Sequence, residues 1–263
     1  MINYWSKKEL MKEKARDHIS NMYARFPGEI RRSINNTLVY TVEDCEKLLK
    51  ASEERESLGT LEVQFKRMCI EDAVFACKGK GKLAVLNFAS YKNPGGMFLN
   101  GSIAQEESIC HNSTLYPVLT AFNDTFYHYN RENKNKSLYK HRLLYSPDIV
   151  FIDKNGKTRY ADVITMAAPN RGAALRNNVS EDEIETVMKE RIRIILHVAY
   201  SNLVDSVFLG AYGCGVFKNE PEVVSNIFFE EMQKYNMYFE FPIPDAETFN
   251  TFYENIGDGI LSL

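Results

Sequence analysis

Two adjacent carboxylates follow a glycine-rich loop, and this stretch is the first candidate for a chemical site. Glu106 and Glu107 come after Pro94-Gly95-Gly96, a tight turn whose backbone can approach a ligand closely. Ser102-x-x-Gln105 has the pattern of a capping box, which predicts a helix start whose dipole favours ionised carboxylates. Adjacent side chains on a helix point about 100° apart, so the two glutamates would have different roles. A capped surface helix with solvated acids is the alternative, which the glycine turn disfavours.

A second glycine turn lies between a predicted buried strand and a helix. Gly213-Cys214-Gly215 occupies that position, where a Gly-x-Gly presents backbone N–H groups to phosphate. No Walker lysine follows, which excludes a nucleoside triphosphate hydrolase loop, and the third glycine of a dinucleotide fingerprint is missing. Phe217 would either stack on a ligand or simply pack in the fold. This loop alone leaves both a phosphate site and an ordinary turn open.

A third loop, residues 166–174, follows another apolar strand and is rich in small residues. Small side chains let another group approach the backbone, although a plain connection from strand to helix would look the same. All three loops leave the ends of predicted strands, where α/β sheets bind their ligands.

Alternating strands and helices are needed to hold these loops. Apolar runs predict buried strands over 83–88 and 206–212, and Asn155-Gly156 predicts a hairpin that joins strands over 149–152 and 161–167. Amphipathic stretches predict helices, among them 7–25, 102–112, 181–202 and 245–255. The alternation predicts a three-layer α/β/α sandwich with a mixed, largely parallel sheet. We expect an N-terminal helical extension over 1–40 and one domain over 41–263.

The composition is that of a soluble globular protein. The 263 residues are 44% hydrophobic and carry a formal net charge of −3, which excludes a chain held on nucleic acid by bulk positive charge. No apolar run approaches about 18 residues, so no transmembrane helix is expected. The five cysteines form no Cys-x-x-Cys pair and the five histidines are scattered. We therefore expect reduced thiols, a cytoplasmic location, and no metal site or cofactor.

Taken together, the three loops resemble the bacterial-type poly(ADP-ribose) glycohydrolase family, a branch of the macrodomain fold. The hallmark of that family is a Gly-Gly-Gly run followed six to eight residues later by Gln-Glu-Glu. Here Gly95-Gly96 is followed by Gln105-Glu106-Glu107. Residues 85–90, 168–170 and 210–217 also look like that family, and the resemblance covers about residues 60–240.

The resemblance implies a role for each matching residue. Glu107 would be the catalytic acid/base and Glu106 would help to hold the ribose. The glycine loops would clasp the diphosphate and the distal ribose, which Asn87 would also meet, and Phe217 would pack against the ligand. The other positions expected to line the ADP-ribose site are Gly95, Gly96, Met97, Gln105, Asn170, Gly213, Cys214, Gly215 and Val216.

The reaction implied by the resemblance is cleavage of an O-glycosidic bond at a ribose anomeric carbon, through an oxocarbenium-like transition state. One carboxyl group protonates the departing oxygen and then, as a carboxylate, activates water; Glu107 would do both. The expected ligands are ADP-ribose and poly(ADP-ribose), or mono-ADP-ribose joined through oxygen to a protein, a nucleic acid or a small molecule. We expect a monomer with no membrane partner.

Met97 departs from the family pattern because it replaces the third glycine. If that position needs a positive φ, methionine costs roughly 1–2 kcal/mol. If it does not, the side chain narrows the space beside the distal ribose. Two other functions therefore stay open. One is a non-catalytic ADP-ribose reader, which would have no use for the Glu106–Glu107 pair. The other is an α/β domain with an unrelated ligand.

Overall fold

The computed structural model describes residues 4–59, 61–77 and 81–261, which contain seven strands and eleven α-helices. The strands are β1 (Leu38–Tyr40), β2 (Glu62–Lys66), β3 (Leu83–Phe88), β4 (Leu143–Ile152), β5 (Thr158–Met166), β6 (Ser206–Phe208) and β7 (Tyr238–Pro242). The helices are α1 (Tyr4–Arg25), α2 (Pro27–Asn36), α3 (Val42–Glu53), α4 (Ile70–Ala76), α5 (Gln105–His111), α6 (Leu115–Thr120), α7 (His128–Glu132), α8 (Arg171–Arg176), α9 (Glu181–Ser201), α10 (Pro221–Met232) and α11 (Ala246–Leu261).

The strands form one mixed sheet in the order β1-β4-β5-β3-β6-β7-β2. Five neighbours, from β5 to β2, run parallel, whereas β4 is antiparallel to both β1 and β5. The largely parallel sheet predicted from the sequence is confirmed. Because the five parallel strands share a direction, their carboxyl ends meet at one edge, where ligands bind in such sheets.

Alternation along the strands builds an apolar layer on each face of the sheet. In β3, Ala84 and Leu86 face a core formed with α3, α9, α10 and α11. Leu83 and Val85 face the opposite core, formed with α1, α2, α4, α5 and α6. Burial on both faces explains why this strand reads as a continuous apolar run. The predicted three-layer sandwich is confirmed.

Helix α1 packs behind the glycine loop, and α2 packs on β4 and α6. Helix α1 lies against α5, α6 and the short 3₁₀ turn Phe98–Asn100, and the Nε2 atom of its His18 is 2.9 Å from the carbonyl oxygen of Ser113. The helices end at Asn36, and β1 then pairs with β4 inside the sheet. A boundary between an extension and a domain at residue 40 stays a prediction. Among the described residues, no helix is both long and apolar enough to span a bilayer.

Several element boundaries differ from the predicted ones. Strand β4 begins at Leu143 rather than 149, since a bulge between Ser146 and Ile149, which includes Asp148 at a φ of 58°, interrupts the apolar pattern. Strand β6 ends at Phe208 rather than 212. Pro27 follows the end of α1 and also begins α2, which was not predicted, because proline suits the first turn of a helix.

Candidate active site

Gln105 fixes the start of α5 against the end of β3. Its side-chain oxygen accepts a hydrogen bond from the N–H of Phe88 at 2.9 Å, and its amide donates to the carbonyl of Leu86 at 2.8 Å. The predicted Ser102–Gln105 capping box is therefore wrong: the helix begins after Ala104, which provides no side-chain cap. The Gln105 side chain instead satisfies two strand groups, and so places the following glutamates beside β3.

Glu106 is buried and held from two sides. Its Oε2 accepts a hydrogen bond from the N–H of Ser90 at 2.7 Å, and its Oε1 accepts from the Asn87 amide at 3.3 Å. Asn87 is fully buried and also donates to the hydroxyl of Thr165 at 3.3 Å. The first loop and two neighbouring strands, β3 and β5, thus converge on this carboxyl group.

Burial controls the protonation of Glu106. Desolvation raises the pKa of its carboxyl group to about 8, although the N–H of Ser90 and the amide of Asn87 oppose the shift. The expectation that the helix dipole would favour the ionised form is wrong for this residue, because desolvation by burial dominates its pKa. At neutral pH, Glu106 is mainly a neutral acid.

Among the described residues, one carboxyl oxygen of Glu107 has a hydrogen-bond partner and the other has none. Its Oε1 accepts a hydrogen bond from the N–H of Met97 at 2.8 Å. Its Oε2 is buried and accepts none from the residues that the structure describes, and the same holds for the side-chain oxygen of Asn87. Buried polar atoms without partners are uncommon in folded proteins and call for a physical reason. Both unpartnered acceptors belong to the same carboxyl cluster, which marks that cluster as a candidate site for a ligand.

The glycine loop wraps the two carboxyl groups so closely that position 96 has no room for a side chain. Gly96 has a φ of 62°, and a Cβ atom there would contact Glu107 Oε1 and lie 2.9 Å from Glu106 Oε2. Gly95 also has a positive φ. Met97 has a φ of −108°, so the alternative in which methionine strains the backbone does not arise. Its side chain is 48% exposed.

A cavity of 480 Å³ opens beside these groups, within the volume range of small-molecule sites. It lies at the carboxyl ends of the parallel strands, between Phe88, Ala168 and residues 242–245. Six of the predicted site residues line it: Gln105, Gly213, Cys214, Gly215, Val216 and Phe217. The other predicted residues near the carboxylates form a cluster that adjoins the cavity at Gln105: Asn87, Gly95, Gly96, Met97, Glu106 and Glu107.

The second loop presents unpaired backbone donors. In the part of the chain that the structure describes, the N–H groups of Gly215, Val216 and Phe217 donate no hydrogen bond. Successive free N–H groups in a turn form an anion-binding concavity. Burial raises the pKa of Cys214 to about 12, so its thiol is neutral at neutral pH.

Two side chains that the sequence motifs did not identify hold the third loop in place. Asn219 donates to the carbonyls of Pro169 at 2.9 Å and Gly213 at 3.0 Å. Arg191 is fully buried and donates to the carbonyls of Ala167 and Leu138. The periodicity of α9 offers a clue to Arg191, because a cation stands there on the apolar face of the helix.

Asn170 is placed at the start of α8 rather than among the residues that line the cavity. Its side chain accepts a hydrogen bond from the N–H of Ala173 at 3.1 Å and so caps that helix. Its predicted contact with a ligand stays a prediction. No group of three or more histidine, cysteine, aspartate or glutamate residues within the described ranges is placed to hold a metal ion.

A family model for the catalytic domain of microbial-type poly(ADP-ribose) glycohydrolase (PARG) matches residues 8–154, more than half of the chain. PARG from Thermomonospora curvata has a similar structure, with a TM-score of 0.80, 24% identity, and coverage of 94% of this chain and 100% of that chain. PARG from Deinococcus radiodurans, in complex with ADP-ribose, is 32% identical, with a TM-score of 0.79 and coverage of 91% and 100%. No curated protein matches the chain.

The three-layer sandwich has the macrodomain-like fold of these PARG structures, and its cavity lies at the strand ends. Together with the family match, this confirms the resemblance found in the sequence. The chain belongs to the microbial-type poly(ADP-ribose) glycohydrolase family.

Two glycines of the second loop should respond differently to a methyl group. Gly213 has a φ of 77°, and a Cβ there would lie 2.7 Å from both the Ala168 Cβ and the Asn219 amide. We expect Gly213→Ala to reduce the free energy of unfolding by roughly 1–3 kcal/mol, measured by urea denaturation. Gly215→Ala is the matched control, because its Cβ meets open space, and it should leave stability unchanged. Equal effects would contradict the close packing assigned to Gly213.

The raised pKa of Glu106 should appear in the pH dependence of stability. The folded state keeps this proton up to about pH 8, whereas an unfolded glutamate loses it near 4.5. The stability that the folded state gains from keeping this proton is complete below the pKa of the unfolded chain and is lost as the pH rises through the pKa of the folded state. The free energy of unfolding of Glu106→Gln, relative to the wild type, should therefore increase by on the order of 1 kcal/mol per pH unit between about pH 5 and 8. The exposed Glu185→Gln is the control, and a trend for Glu106→Gln no steeper than that of the control would refute the shift.

Proposed function

We propose that this protein is an ADP-ribosyl glycohydrolase that releases ADP-ribose from poly(ADP-ribose) or from O-linked mono-ADP-ribosylated targets. Family membership supports the activity, and the D. radiodurans relative in complex with ADP-ribose supports the ligand. We further propose that the protein acts as a cytoplasmic monomer, with residues 1–40 as an extension of the domain 41–263.

The observation that carries the chemistry is the asymmetry of Glu107. One carboxyl oxygen is fixed by the N–H of Met97, and the other is buried without a partner. The fixed oxygen sets the orientation of the group. The open oxygen can protonate the departing oxygen of the glycosidic bond and can then remove a proton from the attacking water. A reader would have no use for such a group, so the enzyme is favoured over the binding module.

Glu106 has the properties of a ribose ligand. As a neutral acid at neutral pH, it can both donate a hydrogen bond to one ribose hydroxyl and accept one from another. Asn87 offers a free side-chain oxygen next to it, which suits a second hydroxyl of the same sugar.

The rest of the ligand fits the cavity. The free N–H groups of Gly215, Val216 and Phe217 suit the diphosphate, and Phe88, Pro242 and Ile243 provide apolar walls for an adenosine. The half-buried Phe217 ring would cover the ligand from the loop side. In this arrangement the distal ribose extends past Gln105 to the carboxyl groups, with the exposed Met97 side chain beside the leaving group.

Replacement of the two glutamates should separate binding from catalysis. Glu107→Gln keeps the size and most hydrogen bonds but cannot cycle a proton, so release of ADP-ribose should slow by roughly 10²–10⁴-fold. The affinity for ADP-ribose, measured by calorimetry, should change little. Glu106→Gln should lose affinity and rate together because it misplaces the ribose.

The assay uses purified poly(ADP-ribose) and serine-, glutamate- and nucleobase-linked mono-ADP-ribose, with products identified by mass. The exposed Glu185→Gln should match the wild type. Near-wild-type turnover by Glu107→Gln would refute its role. A wild-type protein that binds ADP-ribose yet cleaves none of the substrates would refute the glycohydrolase and favour the reader.

A further inference from the structure

A row of cations borders the candidate active site and has no acidic partner. We call it the basic rim: Lys92, Arg131, Lys134, Lys136 and Lys140. The four lysines are exposed, and none of the five cations forms an ion pair with any residue that the structure describes. Surface lysines are common, so what matters is how this group is arranged.

Tyr91 links the basic rim to the glycine loop. Its hydroxyl donates to the carbonyl of Asn133 at 3.0 Å and accepts from the N–H of Lys140 at 3.1 Å. The Arg131 guanidinium donates to the carbonyl of Lys92 at 3.0 Å. Residues 131–140 are thereby fastened to the stretch that begins at Ser90, whose N–H holds Glu106.

An aromatic row connects the rim to the cavity. The Tyr91 ring stacks on Tyr139 with centroids 4.2 Å apart, and Tyr139 lies 6.3 Å from the ring of Phe217, which lines the cavity. The rim therefore lies outside these rings, between the glycine loop beside Glu107 and the loop with the free N–H groups.

The backbone of the rim is held in an unfavourable conformation. Asn135, Lys136, Ser137 and Tyr139 all have positive φ angles, which non-glycine residues rarely adopt. The conformation is fixed by the N–H of Asn170, which donates to the carbonyl of Ser137, and by Arg191, which donates to the carbonyl of Leu138. Strained backbone that persists in this way is concentrated at ligand-binding segments.

The local charge is opposite to that of the whole chain. The net charge is −3, yet residues 131–142 contain five lysines and arginines against one acid, Glu132. That glutamate lies 3.4 Å from the ring of His128 and does not reach the rim cations. Neighbouring cations without acidic partners repel one another, and a bound anion would relieve the repulsion.

We propose that the basic rim is a subsite for phosphates of the substrate that lie outside the cavity, namely the diphosphate of the next unit of an ADP-ribose polymer. The proposal rests on the proposed function. The bond that is cleaved joins the ADP-ribose in the cavity to its leaving group beside Glu107, and Lys92 belongs to the same loop as Gly95 and Gly96. The next diphosphate of a polymer thus begins at the rim, whereas mono-ADP-ribose on a neutral side chain offers it no charge.

The experiment compares two pairs of charge reversals. Lys134→Glu/Lys140→Glu alters the rim, and Lys154→Glu/Lys157→Glu changes the net charge equally at the exposed turn between β4 and β5, at the opposite edge of the sheet. Both are made in the Glu107→Gln background, which suppresses cleavage. Binding of end-labelled poly(ADP-ribose) is measured by fluorescence anisotropy over a range of salt concentrations, and binding of free ADP-ribose by calorimetry.

We expect the rim variant to bind the polymer about tenfold or more weakly, with a log–log salt slope reduced by about 0.7 for each phosphate that the rim no longer neutralises. Its affinity for ADP-ribose should stay within about twofold of the parent, and the control pair should match the parent for both ligands. Lys134→Gln/Lys140→Gln should show a smaller effect in the same direction, and it tests the rim if the charge reversal disturbs folding.

Equal polymer affinity in the rim and control variants would overturn the proposal. A single-stranded oligonucleotide of equal charge that binds as tightly as the polymer would also overturn it, because only the polymer should fill the cavity and the rim together. If the proposed function itself fails, the result is different: the wild type cleaves none of the substrates, regardless of what the variants bind.

Discussion

Two carboxyl groups are buried side by side, and the rest of the site follows from the need to hold them. A buried carboxyl group must be hydrogen-bonded or neutral. Glu106 takes the N–H of Ser90 and Glu107 takes that of Met97, so both depend on backbone donors from one loop. That loop reaches them by turning tightly at Gly95 and Gly96, where a side chain at Gly96 would collide with the acids and one at Gly95 with the Tyr116 ring. Gln105 then fixes the start of α5, the helix that carries both glutamates, against the end of β3.

The ligand cavity and the carboxyl cluster come from different parts of the chain. The acids stand on α5, whereas the free N–H groups belong to the loop after β6. Polar links across the carboxyl edge of the sheet hold the loops around the cavity: Asn219 joins the second loop to the third, and the fully buried Arg191 joins the third loop to Leu138. Burial lowers the pKa of Arg191. Its guanidinium donates hydrogen bonds to the main-chain carbonyls of Ala167 and Leu138, and it forms no ion pair with a carboxylate among the described residues. Backbone geometry in the third loop is therefore coupled to two side chains that are distant from it in sequence.

Much of this organisation could be predicted because its causes are local. The apolar run 83–88, the Asn155-Gly156 turn and the glycine loops each show the property that determines their structure. Gln105 could not be assigned in the same way: its spacing from Ser102 fits a helix cap, and only the neighbouring strand decides that its side chain bonds to Phe88 and Leu86.

Other features depended on contacts distant in sequence. The φ of Met97, the bond from Asn219 to Pro169 and the assembly of Lys92 with residues 131–140 were not accessible from spacing. The pKa of Glu106 required its burial to be known, since a solvated glutamate at a helix start would respond to the dipole instead.

The bond from residue 97 to Glu107 is made by the main chain, and this has a consequence for evolution. Every amino acid except proline supplies that N–H, and a φ of −108° suits them all. Natural selection can therefore change the side chain at this position without releasing the acid that it helps to orient. A family built in this way can diversify at the mouth of its site, where Met97 is half exposed, while the chemistry beneath stays constant.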